Sequence, residues 1–128
     1  MANVTRLKRP LSPHLTIYKL PITARMSIFH RFTGLGLAGS GVLVVWWFLA
    51  AATSPEYFDL ANWVLTSWLG TLVMIVSLGA LWFHFFTGLR HLVWDTGAGF
   101  DIARLRTSGI TVMVAAAVMT VITLLIAI

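Results

Sequence analysis

Hydrophobic residues follow one another in three long runs along this chain. The uncharged stretches cover residues 32–55, 60–89 and 107–128, which are 24, 30 and 22 residues long. Each run exceeds the roughly 20 residues that an α-helix needs to cross the hydrocarbon core of a bilayer. The pattern therefore predicts an all-α membrane protein in which three transmembrane helices form a bundle.

The polar residues between these runs set the expected boundaries. Three prolines between Arg9 and Pro21 exclude one continuous helix there, so that stretch is expected to lie extended along the membrane interface. The predicted segments are an N-terminal cytoplasmic and interfacial segment 1–23, transmembrane helices over 24–52, 60–90 and 109–128, an outer loop 53–59 and a cytoplasmic loop 91–108.

Composition excludes several classes of protein. Hydrophobic residues make up 59% of the 128 residues and charged residues only 10%, whereas about a quarter of a soluble domain is charged. A soluble globular domain is therefore disfavoured. Cysteine is absent, which excludes disulfides, thiolate metal sites, cysteine nucleophiles and thioether attachment of haem.

The basic residues predict the orientation of the chain. Six of the nine lysines and arginines precede the first apolar run, and the other three lie between the second and third runs. The connection between the first two runs carries Glu56 and Asp59 but no basic residue. By the positive-inside rule the N-terminus is cytoplasmic, which suits a multi-pass protein of a bacterial inner membrane. The basic residues also suit contact with anionic membrane lipids, and nothing beyond charge suggests a nucleic-acid partner.

One face of the second predicted helix carries small, polar or flexible residues and includes His84. At 1.5 Å per residue, His84 lies about 9 Å below Arg90, the charged end of the predicted span. Gly88, one turn away, leaves room beside the imidazole. A neutral imidazole at that depth can join helices by a hydrogen bond, relay protons, or ligate haem iron, and these alternatives stay open on the residues alone.

A low-spin haem needs a second axial ligand as well. His91 lies about 10 Å further along the same helix face, so it cannot bind the opposite side of an iron held by His84. His30 is expected nearer the cytoplasmic edge. The second ligand is therefore expected from another chain.

A second set of polar residues lies on the first predicted helix. Ser27 and Arg31 share a face with small residues that permit close helix packing. The guanidinium of Arg31 can pair with haem propionates, and the hydroxyl of Ser27 can donate to a quinone carbonyl. Alternatively, Arg31 reaches lipid phosphate and Ser27 caps the start of the helix. Asp95 and Asp101 follow the second run, where they can deliver protons or pair with nearby arginines, and Arg104 and Arg106 are the candidate partners of Asp101.

Three strings resemble the signatures of a known family. RPLSPHLTIY at 9–18, SIFHRFTG at 27–34 and HFFTGLRHLVWD at 84–95 resemble, in order and spacing, those of the cytochrome b membrane-anchor subunits of succinate dehydrogenase, or respiratory complex II. The resemblance covers essentially the whole chain.

The resemblance implies a role in passing electrons from succinate to ubiquinone. It implies that a second anchor subunit completes the bundle and supplies the other haem ligand. A flavoprotein with FAD and an iron–sulfur protein with its clusters would bind on the cytoplasmic face. The implied site residues are His84 as axial ligand of haem b, His30 and Arg31 near the haem propionates, Ser27 and Arg31 at ubiquinone, and Asp95 for proton delivery.

A competing hypothesis is a small proton-coupled transporter or a haem-free helical scaffold. It would use His84 and Arg31 as relay or substrate-binding groups and would need no soluble partners. Three spans and one deep histidine leave little for a self-contained pathway unless the chain oligomerises.

Overall fold

Four helices make up the described part of the chain. The computed structural model describes His14 and residues 18–127, with α1 at Ile22–Thr53, α2 at Pro55–Thr66, α3 at Trp68–Asp95 and α4 at Ile102–Ala127. The three longest helices are long and apolar enough to cross a membrane. The prediction of an all-α membrane protein with three spanning helices is confirmed. Most of the expected interfacial segment 1–23 lies outside the described residues.

Helix α3 lies between the other two long helices. It runs antiparallel to α1, because Met26 meets Arg90 while Thr33, further along α1, meets His84. It also runs antiparallel to α4, where Trp82 Nε1 donates to Thr123 Oγ1 at 3.0 Å. Most large apolar side chains face outward, so the helices meet along narrow seams and leave their flanks for lipid or for other subunits.

Helix α2 replaces the outer loop that was predicted over 53–59. Ser54 and Pro55 lie within this predicted loop, but together they start a helix: the Ser54 hydroxyl accepts from the backbone N–H of Tyr57 at 3.2 Å, and proline suits the first helical position. The second predicted span, expected to begin at residue 60, is in turn interrupted at Ser67. The hydroxyl of Ser67 accepts from the backbone N–H of Gly70, which starts α3 afresh.

Two features hold α2 against the ends of its neighbours. Trp46 of α1 donates its indole N–H to the Tyr57 hydroxyl at 2.7 Å, and Ala61 is fully buried. At the turn into α3 the chain needs glycine, because a Cβ on Gly70 would collide with the backbone carbonyl of Val64.

Glu56, in the first turn of α2, is bonded by its own backbone N–H and by Ser54, which lowers the pKa of its carboxyl group.

The connection between α3 and α4 is shorter than the predicted loop 91–108. It spans only residues 96–101, because α3 continues to Asp95 and α4 begins at Ile102. The expected pairing of Asp101 with an arginine is confirmed: its carboxylate lies 3.3 Å from Arg104 Nε, with both side chains exposed. An exposed pair of this kind contributes little to stability.

Candidate functional site

The imidazoles of His30 and His84 stack on each other where α1 crosses α3. Their ring centroids lie 3.9 Å apart and their planes differ by 10°. His30 was expected nearer the cytoplasmic edge than His84, but the crossing brings both rings to one level. Two ligands on opposite sides of an iron point their nitrogens at each other, whereas these rings meet face to face. This geometry excludes His30 as the opposite axial ligand.

The hydrogen bonds of His84 define which of its nitrogens is free. Its Nδ1 lies 3.0 Å from the backbone carbonyl oxygen of His30 and 3.2 Å from Thr33 Oγ1. A carbonyl oxygen can only accept, so Nδ1 carries the proton and Nε2 carries the lone pair. No described residue bonds to Nε2 of His84. This atom can therefore act as a ligand or a hydrogen-bond acceptor toward a group outside the chain.

The ring of His84 lies directly on the backbone of α1 at Gly34. A Cβ at Gly34 would come within 2.9 Å of His84 Cε1, closer than real side chains tolerate. Glycine at this position therefore allows His84 to reach the carbonyl of His30. One turn along α3, a Cβ at Gly88 would meet nothing within 4 Å, so the space beside His84 is open. The arrangement fits a flat ligand approaching the imidazole from outside the three helices.

His30 is held in place by a hydrogen bond to α3. Its Nδ1 lies 2.7 Å from Thr87 Oγ1, and Thr87 is only 1% exposed. His91 approaches His30 edge-on, with 4.8 Å between ring centroids. No group of three or more histidine, cysteine, aspartate or glutamate side chains that could hold a metal ion occurs within the described part of the chain. A metal bound at His84 would therefore need ligands from elsewhere.

Arg90 was predicted to mark the charged end of a span, but it is buried. Only 7% of the residue is exposed, and α3 continues for five residues beyond it. Its Nε donates to Ser108 Oγ at 2.9 Å and its Nη2 to the carbonyl oxygen of Leu105 at 2.7 Å. The guanidinium also lies 4.1 Å from the centre of the Trp94 ring. Arg90 therefore joins the end of α3 to the start of α4.

The remaining predicted site residues lie apart from the histidine pair. Arg31 is exposed and lines a cavity of about 330 Å³ formed by residues of α1 alone, together with Ile28, Phe32 and Leu35. Ser27, one turn before Arg31, is half-buried. Asp95 is the last residue of α3 and is exposed. No hydrogen bond or ion pair joins Asp95 to Ser27 or Arg31 among the described residues.

Thr33 and Thr87 were not among the predicted site residues. Each hydroxyl contacts a histidine of the other helix, so both belong to the site. The sequence does carry a signal for them: the string H-x-F-T-G occurs at 30–34 and again at 84–88.

Comparison with known proteins identifies the family. A family model described as the succinate dehydrogenase/fumarate reductase transmembrane subunit matches residues 5–124. The chain belongs to this family. It is 45% identical over 126 residues to the succinate dehydrogenase cytochrome b556 subunit of Paracoccus denitrificans, covering 98% of this chain and 97% of that protein.

More distant members agree with this assignment. The cytochrome b556 subunit of Rickettsia bellii is 37% identical over 114 residues, or 89% of each chain. The cytochrome b560 subunit of Marchantia polymorpha is 37% identical over 118 residues, covering 88% of this chain and 85% of that protein. These relatives are subunits of succinate dehydrogenase, an oxidoreductase, and the resemblance drawn from the three sequence strings is confirmed at the level of the family.

Replacing Arg90 tests its role in joining α3 to α4. In Arg90→Ala the carbonyl of Leu105 and the hydroxyl of Ser108 lose a charged donor, and a cavity opens beneath Trp94. Hydrogen bonds to charged groups contribute about 1.5–3 kcal/mol each, so we expect the assembled complex to unfold several degrees lower in a thermal scan followed by tryptophan fluorescence. Arg106→Ala, at an exposed arginine, is the matched control. Equal unfolding midpoints for the two variants would contradict the assignment.

Proposed function

We propose that this chain is a membrane-anchor subunit of a succinate:ubiquinone oxidoreductase. In this proposal His84 supplies one axial ligand of haem b, and Ser27 with Arg31 forms part of the ubiquinone site. The chain oxidises nothing by itself. It lies in a bacterial inner membrane with its N-terminus in the cytoplasm, where an iron–sulfur protein and an FAD-containing flavoprotein bind.

The observation that carries the haem assignment is the hydrogen bond from His84 Nδ1 to the carbonyl of His30. Histidines that ligate metals usually donate the other ring N–H to a carbonyl, carboxylate or water, which fixes the tautomer and the orientation of the ring. Here the carbonyl, Thr33 and Gly34 together hold the ring. The name cytochrome b in the relatives supports the same assignment. When bound, the haem would supply a one-electron redox centre within the membrane.

A second anchor subunit provides the opposite haem ligand in this proposal. Two observations support it: the stacking of His30 on His84 removes the nearest histidine as a candidate, and the space beside Gly88 opens away from the three helices. His30 and Arg31 stand next to each other at the start of α1, so we assign them to the haem propionates. A guanidinium suits that task because it stays charged and can bond a carboxylate with two N–H groups.

Reduction of ubiquinone consumes two electrons and two protons, and α1 carries groups suited to binding the quinone. The hydroxyl of Ser27 can donate to a quinone carbonyl oxygen as negative charge develops there, and the cation at Arg31 stabilises that charge. The apolar side chains beside Arg31 offer a surface for the ring and its tail. Asp95, exposed at the end of α3, is assigned to proton delivery from the cytoplasmic side.

The haem assignment predicts the outcome of replacing His84. In His84→Leu the complex should lose its low-spin haem spectrum, since leucine offers no ligand. The reduced-minus-oxidised difference spectrum of the purified complex measures this loss. Phe85→Leu changes the neighbouring, half-exposed side chain and should leave the spectrum unchanged. An unaltered bis-histidine spectrum in His84→Leu would refute the ligand assignment.

The quinone assignment is tested by separating two activities of the assembled complex. In Ser27→Ala and in Arg31→Met, ubiquinone reduction by succinate should fall about tenfold or more, the equivalent of 1.4 kcal/mol or more of lost binding to the quinone oxygens. Succinate oxidation by an artificial electron acceptor should persist. Arg25→Met removes another exposed arginine of α1 and should affect neither activity. Ubiquinone reduction at the native rate in the Ser27 and Arg31 variants would contradict this role.

A further inference from the structure

The same five-residue string, H-x-F-T-G, occurs on both helices that meet at the histidine pair. It reads HRFTG at 30–34 on α1 and HFFTG at 84–88 on α3. Because the helices are antiparallel, the two copies face each other at the crossing with opposite directions. In each copy the histidine and the threonine are three residues apart and so lie on the same helix face.

The two copies exchange hydrogen bonds. His30 Nδ1 lies 2.7 Å from Thr87 Oγ1, and His84 Nδ1 lies 3.2 Å from Thr33 Oγ1. Each threonine is also bonded to its own helix: Thr33 donates to the carbonyl of Phe29 at 2.9 Å, and Thr87 donates to that of Phe83 at 2.7 Å. A hydroxyl has one hydrogen, so each threonine oxygen is left to accept the N–H of the opposite imidazole.

These contacts restrict the rotation of both rings. Rotation of an imidazole about its Cβ–Cγ bond is a soft motion with broad minima, so packing alone defines the ring plane poorly. Here each Nδ1–H is aimed at a threonine that is itself fixed to a helix backbone, and the two rings lie nearly parallel at 10°. A change in one ring therefore affects the other.

We propose that Thr33 and Thr87 are positioning residues that set the ring plane of His84 as a haem ligand. Thr33 acts directly on His84, and Thr87 acts through His30, which it holds flat against His84. The proposal rests on the proposed function, since it takes His84 to be the ligand. It goes further by assigning a task to two hydroxyl groups that have no role in the proposed function.

His84 and His30 differ in the number of hydrogen-bond acceptors that hold them. His84 has a second acceptor, the carbonyl of His30, and rests on Gly34. For His30, Thr87 is the only hydrogen-bond acceptor recorded among the described residues. Loss of the Thr33 hydroxyl should therefore allow only a small rotation of the His84 ring, because the carbonyl of His30 and Gly34 still hold it. Loss of the Thr87 hydroxyl should free the His30 ring, which then no longer stacks on His84.

The test uses the assembled complex with Thr33→Val and Thr87→Val, which keep the side-chain shape and remove the hydroxyl. Thr111→Val is the matched control, because its hydroxyl bonds only to its own helix at Thr107. The readouts are the electron paramagnetic resonance spectrum of the oxidised haem, which depends on the angle between the two axial imidazole planes, and the ratio of haem to flavin. Changes around a metal ligand of this kind typically weaken metal binding about 10- to 100-fold, so we expect a shifted spectrum together with reduced haem retention.

Serine restores the hydroxyl and alanine does not, so Thr33→Ser and Thr87→Ser should recover the native spectrum while Thr33→Ala and Thr87→Ala should not. This pair of changes gives the same comparison if a valine variant fails to assemble. Native spectra in both valine variants, or equal spectra in the serine and alanine variants, would overturn the proposal. A haem spectrum that persists in His84→Leu would refute the ligand assignment itself. A spectrum that is lost in His84→Leu but stays native in the threonine variants would refute only the positioning role of the threonines.

Discussion

The hydrogen bond between His84 Nδ1 and the carbonyl oxygen of His30 is the contact on which the site depends. Few polar partners exist within the hydrocarbon region, so an imidazole placed there needs an acceptor from a neighbouring helix. A backbone carbonyl has two lone pairs and can accept from His84 in addition to its own helical partner. Because a carbonyl cannot donate, this one contact fixes the tautomer and leaves a free lone pair on Nε2 of His84.

Several other features of the fold serve to make that contact possible. The backbone of α1 must come close to α3, and glycine at position 34 allows it, since a Cβ there would press on the ring. Next to this crossing, toward the end of α3, Arg90 links α3 to α4 and meets Met26 of α1, with its Nη1 3.8 Å from the sulfur. The three long helices are thus joined on the side of the bundle where the predicted cytoplasmic residues lie. Large flanks of the bundle remain available to lipid and to the second anchor subunit of the proposed complex.

The sequence was sufficient for the three spans and for the family, because both depend on features that are local in the chain. The length of an apolar run predicts a span whatever it packs against, and three short strings in order predict the family. The start of α2 was missed for a local reason as well: Ser54 and Pro55 both interrupt one helix and begin the next, and the predicted loop over 53–59 accounts only for the interruption. The mistake at Arg90 has a different origin, because whether an arginine near a helix end faces water or a neighbouring helix depends on where the next helix begins.

The site was predictable in part. His84 stood out as a polar residue deep in an apolar run, but its partners did not, since the stacking of His30 and the roles of Thr33 and Thr87 depend on how two helices cross. The repeat of H-x-F-T-G was present in the sequence, yet its meaning comes from the antiparallel crossing that brings the copies together. The proposed roles that need another chain, the opposite haem ligand and the remainder of the quinone site, lie beyond what a single sequence encodes.

We propose that Nε2 of His84 ligates haem iron while Nδ1 donates to the carbonyl of His30. The most direct test is an experimental structure of the assembled complex, at a resolution that defines the imidazole planes. We expect iron at bonding distance from Nε2 of His84, with the Nδ1 contact to His30 retained and the opposite ligand contributed by the second anchor subunit. A haem held by other residues, or ligation through Nδ1 with the carbonyl of His30 left free, would contradict it.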